Sequence, residues 1–310
     1  MTLAILCSGQ GAQHAGMFAL TRDTPAAKPL FAVAAALLGY DPGSASFPTE
    51  NLLRNRDAQV LCTLAPLCVV TALGNALPAR RCVAGYSVGE IAAWGVAGLI
   101  DPDAALELVA ARAQAMDAAS QGDEGMLFVR GLAREFVDAM CTGRAAEIAI
   151  VNPGEAFVLA GQRDALDAIA IAIEARQHGA ARVVPVAVRV ASHTRFLAAA
   201  SPVFSECLAH THIARALRPG VRLLSGIDAA TVLDVRAGLD KLAAQISQPV
   251  QWAACIDACV ESGVTAFLEL GPGRALAEMA AAAYPSLPSR SVEDFKSLQG
   301  VRDWLARVDA

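Results

Sequence analysis

The chain contains 310 residues, of which 55% are hydrophobic and 18% are charged. This composition excludes a disordered chain, and the length allows one large domain or a large domain with a smaller companion. The 25 basic residues are outnumbered by 30 acidic ones, which gives a formal net charge of -5. The chain therefore lacks the excess of positive charge that is typical of proteins that bind nucleic acid. We therefore expect a globular protein that does not bind nucleic acid.

Cysteine usage and the N-terminus indicate a cytoplasmic protein. The eight cysteines are scattered and form no CxxC pair, which favours buried free thiols in a reducing compartment over disulfides or metal ligands. No basic segment precedes the apolar run Leu3–Cys7, and the run is too short for a signal peptide, so we interpret it as a first strand.

One uncharged stretch, residues 60–79, has the length of a membrane span. Its two prolines, Pro66 and Pro78, and the Gly74-Asn75 pair instead favour a helix buried in an α/β core. We therefore expect no interaction with a membrane.

The first 125 residues alternate short strand-like runs with longer helical ones. Strands are predicted at Leu3–Cys7 and at 82–84, and helices at 91–99 and 102–116, the last one capped by Asp101. This alternation is typical of a parallel sheet covered by helices.

Between residues 126 and 188 the pattern changes. The predicted order is strand 126–130, helix 134–140, strands 147–152 and 156–160, helix 164–177 and strand 181–186. The order βαββαβ is that of a ferredoxin-like module, which we interpret as an inserted small domain.

The remaining chain returns to the first pattern. Helices are predicted at 196–210, 233–247 and 252–263, and strands at 221–225 and 265–270, the latter followed by a Gly-Pro-Gly turn. The predicted fold class is therefore α/β, with an α/β-hydrolase-like parallel-sheet core from residues 1–125 and 189–310 and a ferredoxin-like small domain at 126–188. Such an insertion places a cleft between the two domains.

The sharpest local signal is the G-x-S-x-G elbow Gly85–Gly89, which follows a predicted strand and precedes a predicted helix. Glycines in such a turn let neighbouring backbone approach, so the hydroxyl of Ser87 can be exposed as a nucleophile. The backbone N–H of Val88 would then face the oxygen of an attacked carbonyl, supported by the helix dipole. The alternative is a glycine-rich turn whose serine only caps the helix.

A nucleophilic serine needs a base, and His193 lies where the predicted insertion returns to the main domain. We interpret His178, His210 and His212 as solvated residues at helix ends, because nothing nearby completes a metal site. The loop 8–13 after the first strand is a candidate for a second backbone N–H donor to the oxyanion. The alternative is that this glycine-containing loop binds a nucleotide.

Five separated motifs give the chain a specific resemblance to malonyl-CoA:acyl carrier protein transacylases over nearly its whole length. They are Gly9-Gln10-Gly11-Ala12-Gln13, Gly85-Tyr86-Ser87-Val88-Gly89-Glu90 with Arg112, Ser192-His193, Gln245 in the segment 245–252, and Glu269-Leu270-Gly271-Pro272-Gly273. Within this family the chain is most similar to the epsilon subunit of malonate decarboxylase, because of Ser-His-Thr at 192–194 and the closing segment 290–298 with Trp304-Leu305.

The resemblance implies a malonyl-serine mechanism. Ser87 would attack the thioester of malonyl-CoA, His193 would accept the proton, and the backbone carbonyl of Gln245 would orient the histidine. The N–H groups of Gln10 and Val88 would stabilise the oxyanion.

The same resemblance assigns the substrate. Arg112, which the sequence alone would mark as a surface arginine, would bind the malonyl carboxylate. Ser192 replaces the bulky aromatic residue of many relatives, so shape does not exclude methylmalonyl. Asn152 is a further candidate for substrate binding, with a structural turn at Pro153 as the alternative.

The implied partners are malonyl-CoA and an acidic acyl carrier protein, specifically the carrier subunit of malonate decarboxylase, and no tightly bound cofactor or metal is expected. Candidate residues for a basic docking patch are Arg80, Arg81, Arg189 and Arg195. Three alternatives stay open: a transacylase of fatty acid or polyketide synthesis, a serine thioesterase, and a non-catalytic subunit that only docks the carrier.

Overall fold

A computed structural model describes residues 1–44, 49–175 and 181–309, and it contains two separate sheets. The strands are β1 (Leu3–Cys7), β2 (Arg81–Gly85), β3 (Glu124–Arg130), β4 (Ala146–Asn152), β5 (Ala156–Gln162), β6 (Arg182–Val186), β7 (Val221–Leu223), β8 (Ala266–Leu270) and β9 (Ser289–Ser291). The α-helices are α1 (Lys28–Leu38), α2 (Asn55–Leu73), α3 (Gly89–Ala97), α4 (Pro102–Ala119), α5 (Arg134–Cys141), α6 (Arg163–Ala175), α7 (Ala200–Ala209), α8 (Val235–Ala244), α9 (Trp252–Glu261), α10 (Ala275–Ala283) and α11 (Leu298–Asp309).

The larger sheet is parallel, with the strand order β7-β2-β1-β8-β9. Every residue of β1 and β8 is buried, as expected for central parallel strands that are covered by helices on both faces. The carboxyl ends of β1, β2 and β8 therefore meet at one edge, which confirms the predicted parallel core.

Helix α2 packs inside this core against α1, α3 and α4. Within the described residues, the segment Asn55–Ala76 is the one helical stretch long and apolar enough to cross a membrane, and 78% of its most apolar window is buried in the protein. Pro66 lies inside the helix. The predicted buried core helix is therefore present, although it begins earlier than residue 60.

The smaller sheet is antiparallel, with the strand order β4-β5-β3-β6. Together with α5 and α6 it has the βαββαβ order of the predicted ferredoxin-like module. Leu127 and Val129 pack with residues of α5 and α6, so the alternate positions Met126 and Phe128 point to the opposite face. The domain boundaries at 126 and 188 stay a prediction.

Two local predictions are confirmed only in part. Asp101 occupies the N-cap position of α4, but its side chain accepts no capping hydrogen bond, and the helix begins with Pro102 at its first position. The predicted helix 196–210 is a 3-10 turn at Arg195–Leu197 followed by α7. Pro202 lacks an N–H group and fits best in the first turn of a helix, which favours a start of α7 shortly before it.

The cysteine prediction holds, because all eight cysteines are free and six are buried. His178 and the end of the helix predicted at 164–177 lie outside the described residues. Helices α1, α10 and α11 and strand β9 were not predicted. Helices α1 and α10 are rich in alanine. Alanine is abundant throughout this chain, so its presence is weak evidence for a helix here.

Candidate active site

Ser87 lies on a sharp turn between β2 and α3, at the carboxyl edge of the parallel sheet. Its φ of 55° is in the left-handed region, which costs about 1–3 kcal/mol for a residue with a side chain. A Cβ atom at Gly85 would collide with the backbone of Glu90, and one at Gly89 would collide with the carbonyl of Cys7. The two glycines therefore permit the tight turn that carries the serine.

His193 faces Ser87 from the segment that follows β6, and it is completely buried. The Ser87 hydroxyl lies 2.7 Å from Nε2 of the imidazole, and Nδ1 lies 2.6 Å from the backbone carbonyl of Gln245. A carbonyl can only accept, so Nδ1 carries the proton and Nε2 is the acceptor for the serine hydroxyl. The backbone N–H of His193 donates to the carbonyl of Ile246 over 2.8 Å.

The backbone of His193 is also strained, with a φ of 65°. Its N–H and Nδ1 contacts attach it to consecutive residues just after α8, and these contacts hold the ring against the serine. Among the described residues with a side chain, four have positive φ, and Ser87 and His193 are two of them. Strain at both members of one hydrogen-bonded pair points to a functional constraint.

Burial, and secondarily the positive charge of Arg112, lower the pKa of His193 to about 3. The imidazole is therefore neutral at physiological pH, and its Nε2 atom is free to accept the proton of Ser87. The hydrogen bond to the Gln245 carbonyl opposes this shift because it favours the charged ring.

Arg112 is buried behind this pair, with 1% of its surface exposed. Its Nη1 donates to Oε1 of Gln59 over 2.6 Å, and its Nη2 donates to Oε1 of Gln245 over 3.2 Å. Burial lowers the pKa of Arg112 to about 10, and the nearby Glu90 carboxylate opposes the shift. A guanidinium has five N–H donors, so three remain for a ligand.

Glu90 completes the network, although sequence reasoning assigned it no role. Its Oε2 accepts hydrogen bonds from the Gln245 amide at 2.5 Å and from the backbone N–H of Gly226 at 3.1 Å. The same amide donates to the Ser87 carbonyl over 3.1 Å. Burial raises the pKa of Glu90 to about 7, against the opposing hydrogen bonds and the charge of Arg112. Gln245 thus contacts both members of the pair: its side-chain amide binds the backbone of Ser87, and its backbone carbonyl orients His193.

The predicted oxyanion donors are the backbone N–H groups of Gln10, which lines the cavity beside Ser87, and of Val88, which follows the serine in the elbow. In the described part of the chain neither N–H has a hydrogen-bond acceptor, which leaves both free for an oxyanion. The loop carrying Gln10 lies against the elbow, since a Cβ atom at Gly9 would be 2.8 Å from the Tyr86 carbonyl.

A buried pair holds the start of this loop. The Ser8 hydroxyl donates to Oε1 of Glu269 over 2.7 Å, and Oε2 of Glu269 accepts from the backbone N–H of Ala277 over 2.8 Å. Burial raises the pKa of Glu269 to about 7. The pair lies next to Gly271, where a Cβ atom would be 3.0 Å from Ser8, so the Gly-Pro-Gly turn is packed against the loop.

A cavity of about 390 Å³ opens beside Ser87 and is bounded by both sheets. Its polar wall includes Gln10, Ser87 and Ser192. Its apolar wall includes Met126, Phe128, Ile150, Val186, Leu276 and Met279. Arg112 is not among the residues that line this cavity.

Asn152 lies in an adjoining cavity of about 380 Å³, which shares Phe128, Ala275 and Met279 with the first. It is 3% exposed. Burial raises the pKa of the neighbouring Tyr86 to about 12, and a side-chain hydrogen bond with Asn152 opposes this shift.

Part of the predicted basic patch is in the wrong place. Arg80 and Arg81 lie at the amino end of β2, whereas Ser87 follows its carboxyl end, and five strand residues separate the two ends by about 17 Å. Arg195 is paired with Glu147 at 2.7 Å. Arg189 lines a cavity beside Gln10. In the described ranges, no three histidine, cysteine, aspartate or glutamate side chains form a group that could hold a metal ion.

Residues 5–302 match the family model for the acyl transferase domain. A malonyl CoA-acyl carrier protein transacylase of Mycobacterium tuberculosis is 33% identical over 309 residues, covering 94% of this chain and 96% of that protein. A crystal structure of an acyl-carrier-protein S-malonyltransferase from Burkholderia pseudomallei has a TM-score of 0.88 at 30% identity and covers 98% of this chain and 100% of that one. A malonyl transacylase solved in complex with a type II polyketide synthase acyl carrier protein has a TM-score of 0.87 at 27% identity, with 98% and 99% coverage.

The site geometry predicts an unusual pH dependence for acylation of Ser87. With p-nitrophenyl acetate, a neutral ester, the acylation rate should stay constant as the pH falls from 8 to 5, because His193 with a pKa of about 3 remains neutral. Arg112→Met removes a positive charge that lowers this pKa, so the acid limb should move upward toward the ordinary histidine value of about 6.5.

Stopped-flow release of p-nitrophenolate gives both pH profiles, with Arg307→Met as the control because Arg307 is exposed on α11. A wild-type rate that halves near pH 6.5, or an acid limb that Arg112→Met leaves in place, would contradict the geometry.

Proposed function

The chain belongs to the acyl transferase domain family, and on that basis we propose that it moves a malonyl group from malonyl-CoA to the thiol of an acyl carrier protein through an ester on Ser87. The observation that carries this proposal is the Ser87–His193–Gln245 arrangement, with contacts of 2.7 and 2.6 Å at the mouth of a cavity. Similarity over nearly the full length to proteins named malonyl transacylases supports the choice of acyl group.

In the proposed first half-reaction, the Ser87 oxygen attacks the thioester carbonyl while its proton passes to Nε2 of His193. The carbonyl oxygen gains negative charge, which the N–H groups of Gln10 and Val88 stabilise. When the tetrahedral intermediate collapses, the carbon–sulfur bond breaks and the CoA sulfur receives the proton from His193. The product is a malonyl ester of Ser87.

The second half-reaction reverses these steps with a different thiol. The thiol of the carrier gives its proton to His193 and attacks the ester carbonyl, after which Ser87 leaves and recovers the proton. The Gln245 carbonyl holds the Nδ1–H tautomer throughout, but it stabilises the imidazolium less than a carboxylate would. Because the imidazolium is only weakly stabilised, we expect the proton to move to His193 at the same time as the nucleophile attacks the carbonyl carbon.

Arg112 is proposed to select the malonyl group by pairing with its free carboxylate. The guanidinium keeps three N–H donors beyond its contacts with Gln59 and Gln245, and a planar fork suits a carboxylate. An acetyl group has no carboxylate, so the buried guanidinium of Arg112 would keep only the side-chain amides of Gln59 and Gln245 as partners. Ser192 lines the cavity beside Ser87, and its small side chain supports the proposal that methylmalonyl also fits.

Two features argue against the alternatives outside acyl transfer. A subunit that only docks a carrier would gain nothing from positive φ at both Ser87 and His193. A hydrolase must admit water, whereas the cavity beside the serine is mainly walled by apolar side chains such as Phe128, Leu276 and Met279.

The test of this proposal is labelling of Ser87 in a competition between malonyl-CoA and acetyl-CoA. Intact-mass spectrometry should find one malonyl adduct per chain in the wild type and none in Ser87→Ala. A holo-carrier added afterwards should remove the adduct faster than water does. If the adduct is absent, lies on another residue, or is lost to water at the same rate, the proposed function is wrong.

The same assay tests Arg112. Arg112→Met should label Ser87 with malonyl and acetyl at comparable rates, because the lost pairing contributes on the order of 3–5 kcal/mol to malonyl selectivity. Arg307→Met should keep the wild-type ratio. Wild-type selectivity in Arg112→Met would remove Arg112 from the acyl site.

We further propose that the carrier is the one used by malonate decarboxylase, whose arm is a phosphoribosyl-dephospho-CoA group. The support is Ser-His-Thr at 192–194 and the closing segment 290–298. In that segment the Ser291 hydroxyl donates to the Gly273 carbonyl over 2.6 Å, and Glu293 contacts His14 at 2.8 Å. The segment therefore lies against the loops near the cavity.

Side-by-side transfer to the two carriers separates the pathways. We expect a higher kcat/KM for the carrier with the phosphoribosyl-dephospho-CoA arm than for one with phosphopantetheine. A preference for the phosphopantetheine carrier would assign the protein to fatty acid or polyketide synthesis and leave the malonyl-serine chemistry intact.

A further inference from the structure

A small cavity lies at the amino edge of the parallel sheet, the edge opposite to Ser87. It has a volume of about 200 Å³ and opens beside the starts of β1, β2 and β7. Its polar wall includes Thr2, Arg80, Arg81, Arg222 and Ser262. Because β2 is five residues long, about 17 Å separates this cavity from the elbow that carries Ser87. The cavity is therefore separate from the cleft in which we propose acyl transfer.

The sheet holds two of these arginines in fixed positions. Arg81 is the first residue of β2 and pairs with Val221 of β7, and the next pair is Cys82 with Arg222. By this register Arg81 and Arg222 belong to opposite faces of the sheet, so the cavity that both of them line lies across the amino edge. Nη1 of Arg222 also donates to the Ser262 carbonyl over 3.1 Å, which attaches this side chain to the end of α9.

The positive charge around this cavity has no acidic partner. The ion pairs that arginines form within the described residues involve other positions, namely Arg22, Arg134, Arg163, Arg195, Arg274 and Arg290. Arg80, Arg222 and the neighbouring Arg218 are exposed. In a chain whose formal net charge is -5, this group of arginines produces a local positive potential that attracts anions.

Arg81 is half-buried in the middle of this charge. Its Nη1 donates to the Pro78 carbonyl over 3.3 Å, whereas its Nε is buried and has no hydrogen-bond partner in the described ranges. Burial and, secondarily, the positive charge of Arg218 lower the pKa of Arg81. An anion bound in the cavity would offset this repulsion and would supply acceptors that the described residues do not.

The size and the donors of the cavity indicate the class of anion. A guanidinium fork binds two oxygens of a phosphoryl group at once, and three such forks suit a ligand with several charged oxygens. Sites that enclose a whole organic ligand have volumes of about 300–1,000 Å³. The smaller cavity found here suits the charged group alone, with the rest of any larger ligand in solvent.

We propose that Arg80, Arg81 and Arg222 form a binding site for a diphosphate group at the amino edge of the parallel sheet. The group is either free diphosphate or the diphosphate of a nucleotide, and both offer the same oxygens to the three arginines. The site goes beyond the proposed acyl transfer, and its test does not depend on the chemistry of Ser87.

Calorimetric titration with inorganic pyrophosphate at low salt tests this site. The wild type should bind one pyrophosphate per chain there, with a Kd that rises as salt is added. Each of Arg80→Gln and Arg222→Gln should raise the Kd about tenfold, and the double variant should raise it further. Both side chains are exposed, so both variants should keep the wild-type Tm.

Arg236→Gln is the matched control, because Arg236 is exposed on α8 and does not line this cavity. It should bind pyrophosphate as the wild type does. The inference is overturned if the wild type shows no saturable binding at millimolar pyrophosphate, or if the double variant binds with the wild-type Kd.

Two further titrations identify the source of the diphosphate. ADP that binds more tightly than pyrophosphate, with the same dependence on Arg80 and Arg222, assigns the site to a nucleoside diphosphate. The reverse order of affinities assigns it to the free anion. A hexaglutamate peptide that binds these arginines more tightly than either compound overturns the inference, and it would mark this edge as a surface for an acidic protein segment.

Discussion

The hydrogen bond between the Ser87 hydroxyl and Nε2 of His193 is the interaction on which the site depends. The serine comes from the elbow after β2, and the histidine comes from the segment that follows the antiparallel sheet. A contact of 2.7 Å between residues 106 positions apart requires both segments to be fixed independently. Because Nδ1 must donate its proton to the Gln245 carbonyl, the neutral ring carries no proton on Nε2. Nε2 can therefore accept the proton of the Ser87 hydroxyl.

Buried polar groups behind this pair act as its support. Arg112, Gln245 and Glu90 form one hydrogen-bonded network that reaches the backbone of Ser87, and Ser8 with Glu269 does the same for the loop that carries Gln10. These contacts limit the arrangements that the site can adopt, although Oε1 of Glu90 has no hydrogen-bond partner in the described part of the chain. They also explain how two residues with positive φ persist, since the surrounding contacts offset the cost of the strain.

Sequence reasoning identified the elements whose patterns are local. The parallel core, the βαββαβ insertion and the elbow follow from periodicity and from glycines at fixed spacing. Helices α1 and α10 were missed because alanine is so common in this chain that it carries little information. The roles of Gln59, Glu90 and Glu269 could not be read from the sequence, because each depends on contacts between distant segments. Arg80 and Arg81 were misplaced because proximity in sequence to Ser87 ignores the length of β2.

The protonation state of His193 tests the central claim most directly. In protein labelled with ¹⁵N at histidine, the two ring nitrogens of His193 report the tautomer and its titration. The account predicts a neutral ring with the proton on Nδ1 from pH 8 down to pH 5, as expected for a pKa of about 3. A ring protonated on Nε2, or one that gains a second proton near pH 6.5, would contradict it.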